Sequence, residues 1–198
     1  MSQIMIIEKP ETVSFDEIHE VLWKANEENR DNGFILATSN LSGEQLAARI
    51  GDKGKCFIAL DGEKIVGTIS VRFVNRNRWY YKGEIPDYML AAVLPEYQGQ
   101  GINSLLSEKV FEYVREKGYP CIELDTAENN KHAIEVYRHQ GFDLAEFRAF
   151  PDVDHYSVVM VKWFNKRPYS NGKRTVMYNL KKTYTKLRYT TGKKKRLI

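Results

Sequence analysis

The sequence predicts an α+β domain, a mixed central β-sheet flanked by helices, followed by a basic C-terminal extension. Three observations carry this. Strand-like and helix-like segments run in the order strand, helices, three strands, helix, strand, helix, two strands, unlike the regular alternation of a doubly wound fold. The most apolar strand, Asp87 to Leu94, reads as central because apolar residues line both of its faces. The charge also divides sharply. Residues 1–154 hold 17 Lys and Arg against all 26 acids, a net of −9, while residues 155–198 hold 13 Lys and Arg and no acid.

Each element has a local reason. Gln3 to Glu8 reads as a short strand. Ser14 and Glu17 form the capping-box pattern that starts a helix, and Phe15, Ile18, Val21 and Leu22 recur at helical spacing, so the helix runs to about Asn29. Ser42 and Gln45 repeat the box ahead of Leu46 and Ile50, with Gly51 and Gly54 after them. Cys56 to Leu60 and Lys64 to Val74 flank Asp61-Gly62, a strong hairpin signal. Asn75 to Lys82 is polar, basic and aromatic and reads as a loop. After Asp87 to Leu94, Pro95 to Gly101 break the strand. Ile102, Leu105, Leu106, Val110 and Val114 mark a helix that Gly118 and Pro120 stop. Cys121 to Thr126 is a strand, and Asn130 caps a short helix sharing Ala133, Ile134 and Tyr137 on one face. Gly141 ends it, and Phe142 to Phe150 and His155 to Phe164 are the last two strands.

Composition excludes several classes. The longest apolar run, Tyr88 to Leu94, is far short of the roughly 20 residues that cross a bilayer. The N-terminal MSQIMIIEKP lacks the basic flank and apolar length of a signal peptide. Two cysteines, Cys56 and Cys121, supply neither a disulfide framework nor metal-ligand spacing, so a cytoplasmic location is expected. The four histidines are scattered, and no metal site is expected.

The stretch from Ala91 to Asn103, AAVLPEYQGQGIN, carries the chemistry. A buried strand ends at a proline, and a glycine-containing loop opens directly into an amphipathic helix. Backbone N–H groups in such a loop and first turn converge, the helix dipole adds positive potential, and glycine allows close approach, so the loop suits an anion, most naturally a pyrophosphate. The spacing is neither Gly-x-Gly-x-x-Gly after a first strand nor a Walker loop.

Gln98-Gly-Gln-Gly-Ile-Asn103 resembles the Gln/Arg-x-x-Gly-x-Gly/Ala signature of the GNAT superfamily of N-acetyltransferases. Asn130-Lys-His-Ala-Ile-Glu-Val-Tyr-Arg-His-Gln-Gly-Phe142 resembles that superfamily's Asn-x-x-Ala-x-x-x-Tyr-x-x-x-Gly-Phe segment. The resemblance covers roughly residues 3–164, and Asn103 stands where the family usually has Gly or Ala. It implies a GNAT-like fold and acetyl-CoA as co-substrate. Cofactor binding falls to Val93, Leu94, Gln98, Gly99, Gln100, Gly101, Ile102, Asn103 and Asn130, with the backbone near Val93 stabilising the oxyanion. It implies Tyr137 as the acid that protonates the departing thiolate. The base is often a fourth-strand carboxylate in this family, which points to Asp87, six residues before Val93 and so on the same side of a period-2 strand, with Glu84 as the fallback.

The function expected is therefore transfer of acetyl from acetyl-CoA to a primary amine by direct attack in a ternary complex, the acceptor a small amine or amino sugar rather than protein. The rival is a non-catalytic coenzyme A-binding module that engages an anionic polymer or membrane through its tail. Residues 1–164 are the expected acetyltransferase domain and 165–198 the basic amphipathic extension. Arg76 to Tyr81 reads either as a stacking surface or as an exposed hairpin end. In the extension Val176, Leu180, Tyr184 and Leu187 form one apolar stripe. The acidic body favours docking of that stripe on the body or on a partner subunit, leaves a homodimer and peripheral contact with an anionic membrane open, and disfavours nucleic acid.

Overall fold

The computed structural model describes residues 3–27, 41–149 and 155–196, with α5 side chains described through Tyr189. The elements are β1 (Met5–Glu8), α1 (Phe15–Ala25), α2 (Gly43–Ile50), β2 (Lys55–Asp61), β3 (Lys64–Asn77), β4 (Lys82–Val93), a 3-10 turn (Pro95–Tyr97), α3 (Ile102–Glu116), β5 (Cys121–Ala127), α4 (Lys131–His139), β6 (Asp143–Ala149), β7 (Tyr156–Trp163) and α5 (Asn171–Arg196). They form two compact units. One holds the residues up to Asn77 together with Gly83–Tyr119; the other holds Arg78–Lys82 and the chain from Pro120 onward. The expected run of α1 to Asn29 and the expected strand end at Phe150 lie outside the described residues.

In the first unit β1 pairs antiparallel with β2, Met5 opposite Leu60 and Glu8 opposite Phe57, and β2 pairs antiparallel with β3 across the Asp61–Lys64 turn. β4 lies beside β3. Both predicted capping boxes are present. Ser14 Oγ accepts from the Glu17 N–H while Glu17 accepts from the Ser14 N–H at 2.8 Å, and Ser42 with Gln45 does the same for α2. The apolar stripes of these helices bury Ile18, Leu22, Leu46 and Ile50 against Cys56, Ile58, Leu90 and Ala92. The strand extends β3 to Asn77, beyond the expected Val74, and β4 begins at Lys82 rather than Asp87. A Cβ on Gly67 would meet Leu106, the Ala92 carbonyl and Val93 at 3.1–3.3 Å, so glycine is what lets α3 lie close on the sheet.

In the second unit β7 is central, antiparallel both to β5 (Cys121 opposite Trp163) and to β6 (Asp143 opposite Val161). The C-terminal extension is helix α5, and it packs on β6. Its inward face is not the predicted apolar stripe. Arg174 donates to the Leu144 carbonyl at 3.3 Å, and Thr185 donates to the Phe147 carbonyl at 3.2 Å. Lys182 pairs with Glu128 at 2.7 Å, and Tyr178 and Tyr189 meet Phe147 and Tyr156 edge-on. Val176, Leu180, Tyr184 and Leu187 lie on the opposite face, 57–65% exposed. Period gave the stripe correctly, but period does not say which side of a helix meets the body.

The stretch Arg78 to Tyr80 is not a surface. Arg78 is 3% exposed and sits between two buried carboxylates. Its Nε donates to Glu123 at 2.9 Å and its Nη2 to the other Glu123 oxygen, while Nη1 reaches Glu146 at 3.3 Å. The buried Tyr80 hydroxyl donates to Glu123 at 2.6 Å, and Trp79 donates to the Ala145 carbonyl and packs on Tyr169. Burial opposes the Arg78 charge, but Glu123 first and Glu146 after it outweigh that and raise its proton affinity. Replacing Arg78 by Met takes the guanidinium away from the buried Glu123 and leaves Glu146 with Arg148 at 3.3 Å. The variant is expected to lose about 3–5 kcal/mol of stability in urea unfolding. A wild-type midpoint would mean the cluster carries no net stabilisation.

Candidate functional site: the start of the third helix

β4 ends at Val93, and the chain turns at Pro95. The Leu94 N–H donates to the Val66 carbonyl at 2.9 Å, and the 3-10 turn closes through Tyr97 N–H to Leu94 and Gln98 N–H to Pro95. Gln98 folds back so that its Nε2 donates to the Val93 carbonyl at 3.1 Å, and Gln100 Nε2 donates to the Glu96 carbonyl. Two left-handed residues follow, Gly99 at φ 74° and Gly101 at φ 78°, the latter as N-cap of α3. A Cβ at either glycine would meet nothing within 4 Å. Glycine is needed there for its backbone angle, and the space before the helix stays open.

Among the described residues, no backbone hydrogen bond is donated by the N–H groups of Gly99, Gln100, Gly101, Ile102 or Asn103. The cap residue offers no side chain to the helix start, and the first turn of α3 contains no acid. The donors that a helix ordinarily caps are thus left outward, at the positive end of the helix dipole. Ile102 is only 2% exposed and pins the turn to the core. The Asn103 carbonyl accepts from Ser107 Oγ at 2.6 Å, which in turn meets the Tyr88 hydroxyl of β4 at 2.9 Å, so the first turn is tied to the strand.

The two strand carboxylates are both engaged. Asp87 is buried, with Arg72 Nε at 2.8 Å, Arg72 Nη2 at 2.7 Å and Arg76 Nη2 at 3.6 Å. Glu84, whose side chain is 31% exposed, accepts from the Tyr119 hydroxyl and from Lys53 at 3.2 Å, and these two hold its carboxyl below the usual range. Between Asp87 and Val93 lies Leu90 at φ 56°, the only described non-glycine residue with positive φ. Such a break interrupts strand alternation, so a six-residue separation no longer guarantees a shared face. Nothing in the sequence marks Leu90 as left-handed, because leucine has no preference for that region.

In the second unit Asn130 caps α4, its Oδ1 accepting from the Ala133 N–H at 3.0 Å. Tyr137 stands two turns along, its ring 6.0 Å from Phe142. Burial, reinforced by Asp125, pushes its phenol up to about 12, so it is a neutral O–H donor at ordinary pH. Cys121 is pushed up to about 12 by burial and then by Glu123, and burial likewise raises Cys56; both behave as small apolar groups. Among the described residues no three His, Cys, Asp or Glu converge as metal ligands.

Comparison with known proteins bears on the fold and the family. An uncharacterized N-acetyltransferase of Methanocaldococcus jannaschii is 35% identical over 65 residues, which is 33% of this chain and 29% of that protein. The chain thus matches under a third of that relative's length. In fold it is similar to the ribosomal-protein-S18-alanine N-acetyltransferase of Escherichia coli, with a TM-score of 0.64 and 17% identity over 85% of this chain and 98% of the other. It is also similar to an acetyl-CoA-bound GNAT family acetyltransferase of Elizabethkingia anophelis, with a TM-score of 0.57 and 15% identity over 83% of this chain and 100% of the other. Residues 15–142 match the acetyltransferase (GNAT) family, and with both expected segments inside or bordering that span, the chain belongs to this family.

Proposed function

We propose that the protein transfers acetyl from acetyl-CoA to a primary amine, the amine attacking the thioester directly in a ternary complex. The observation that carries this is the set of outward N–H groups from Gly99 to Asn103 at the start of α3. Pyrophosphate has the charge and the oxygen spacing to accept from them. Leu94, Gln98 and Gln100 shape the turn that holds these donors, and Asn130 donates to the cofactor arm with its amide nitrogen while its oxygen caps α4. The Val93 backbone stabilises the oxyanion, and the neutral Tyr137 hydroxyl protonates the departing thiolate.

For the base, Glu84 is favoured over Asp87. Two arginines occupy the Asp87 carboxylate, whereas Glu84 is ionised and reaches solvent, so it can take the amine proton through water. The acceptor proposed is a small amine. The amino-sugar option rested on an aromatic stacking surface at Arg76 to Tyr81, and the burial of Arg78 and Tyr80 removes that support. A panel of polyamines, amino sugars and an alanine-led peptide, scored by release of coenzyme A thiol, tests both the activity and the acceptor. Binding of acetyl-CoA with no thiol release from any amine would favour a non-catalytic coenzyme A-binding module.

Two variants test the residues. Gly101→Asp sets a carboxylate and a strained left-handed side chain before the N–H row. Calorimetry is expected to show acetyl-CoA binding largely lost while circular dichroism stays native, since a Cβ there has no clash. Unchanged affinity would remove this loop from the cofactor site.

Tyr137→Phe is expected to keep acetyl-CoA affinity and lower kcat by on the order of 10²-fold, because the proton is needed only as the thiolate leaves. With the phenol at about 12, the wild-type rate should show no decline from Tyr137 ionisation below about pH 10. The raised value favours the folded state below the ordinary tyrosine pKa of about 10, and that contribution disappears as pH rises through about 12. Full turnover in Tyr137→Phe at every pH would make Tyr137 a packing residue.

A further inference from the structure

α5 is fixed to β6 by one face and presents the opposite face to solvent. Val176, Leu180 and Tyr184 are 57%, 60% and 61% exposed, and Leu187, 65% exposed, continues the same line. On a helix that turns 100° per residue these four fall within one quadrant or so of arc. The inward face is occupied by Arg174, Tyr178, Lys182, Thr185 and Tyr189. The apolar stripe is therefore not a core stripe displaced by fraying. It is the outer surface of a docked helix. The stripe from Val176 to Leu187 is about 16 Å long at 1.5 Å per residue.

Among the described residues of α5, the charged neighbours of the stripe are all basic. Lys181 and Arg188 are exposed and lie beside Tyr184 on the helix surface, Lys173 is exposed on the line of the stripe ahead of Val176, and the sequence from His155 onward contains 13 Lys and Arg without an acid. A second copy meeting it helix to helix would bring the same positive charge against it, so charge opposes a symmetric dimer through this face. Nucleic acid would meet the charges but leave the apolar centre against sugar and phosphate. A surface that is negative outside and apolar a few ångströms beneath satisfies both features at once. The helix is not a membrane span, since among the described residues no helix is long and apolar enough to cross a bilayer.

We infer that the outer face of α5 docks on an anionic phospholipid bilayer, the stripe entering the headgroup–acyl boundary and the flanking Lys and Arg meeting lipid phosphates. This goes beyond the transfer reaction and stands on different residues, so either can fail without the other.

The test uses the full-length protein and sedimentation with phosphatidylcholine vesicles, with and without phosphatidylglycerol. Wild type is expected to bind only the anionic vesicles, and to be released as NaCl rises from about 0.1 M to about 0.5 M. Leu180→Asp, at an exposed position that leaves the fold intact, is expected to weaken binding roughly tenfold or more. Acetyl-CoA binding by calorimetry serves as the control for folding of the variant. Failure of wild type to bind anionic vesicles at low salt overturns the inference. So does equal binding by Leu180→Asp, which would leave a charge effect with no role for the stripe. If sedimentation velocity instead shows a wild-type dimer that Leu180→Asp dissociates, without vesicle binding, the face belongs to a second copy.

Discussion

An arginine only 3% exposed must find its anions inside the protein, and the second unit is organised around meeting that condition at Arg78. Glu123 stands on β5 and Glu146 on β6, the two strands either side of β7. The guanidinium reaches both, so it spans the full width of this three-stranded ladder. A one-residue slip of either outer strand would turn its carboxylate to the other face and leave a buried charge unmatched. Two carboxylates against one guanidinium still leave an excess of negative charge. The Tyr80 hydroxyl and Arg148 take it up, the first by donating to Glu123 and the second by approaching Glu146 at 3.3 Å. The ion cluster thus fixes register, which the aliphatic pattern of β7 alone, apolar on both faces from Val158 to Val161, does not.

The first unit obeys the opposite rule at the start of α3. There the structure leaves polar groups unmatched, and it does so where solvent or a ligand can reach them. A helix start normally carries a capping side chain, as α1, α2 and α4 do with Ser14, Ser42 and Asn130. α3 has Gly101 in that position and no acid in its first turn. The turn is anchored from behind: Ile102 and Leu106 are buried, Gly67 permits close approach, and Ser107 links the turn to Tyr88. In the proposed acetyl-CoA site, donors held in place beforehand would spare the cost of ordering them on binding. The left-handed Leu90 in β4, a conformation that costs a non-glycine residue of order 1–3 kcal/mol, lies in the strand that leads into this turn.

Much of this was legible in the sequence because it rests on local rules. Capping boxes need three residues, the Asp61-Gly62 turn needs two, and the Gly99 and Gly101 turn announces itself through a residue type that alone tolerates positive φ at little cost. The Asn130 cap was legible for the same reason. What escaped was long-range. Arg78 and Tyr80 sit in a stretch as polar and aromatic as any exposed hairpin end, and their burial depends on carboxylates 45 and 68 residues away. The arginine partners of Asp87 are likewise set by strand pairing, 15 residues distant for Arg72, so a carboxylate that looks available for proton transfer in sequence is found engaged. Leu90 escaped because its backbone angle is imposed on it rather than preferred by it.

The C-terminal helix shows the same limit in another form. Period identifies an apolar line on α5, and the general expectation is that such a line faces the body. That expectation weighs only the apolar residues of the helix. β6 offers α5 carbonyls at Leu144 and Phe147 and the aromatic ring of Phe147, β7 adds the ring of Tyr156, and Glu128 is close by. Arginine, lysine, threonine and tyrosine satisfy those groups, and aliphatic side chains do not. Lys182 and Lys186 lie 5.2 and 5.5 Å from the Phe147 ring, where a cation gains from the ring's negative face. The polar face is therefore drawn inward by what β6 presents, and geometry then forces the aliphatic line outward. Its exposure is a consequence of good docking on the other side, which is why an apolar surface persists on a helix that is well held.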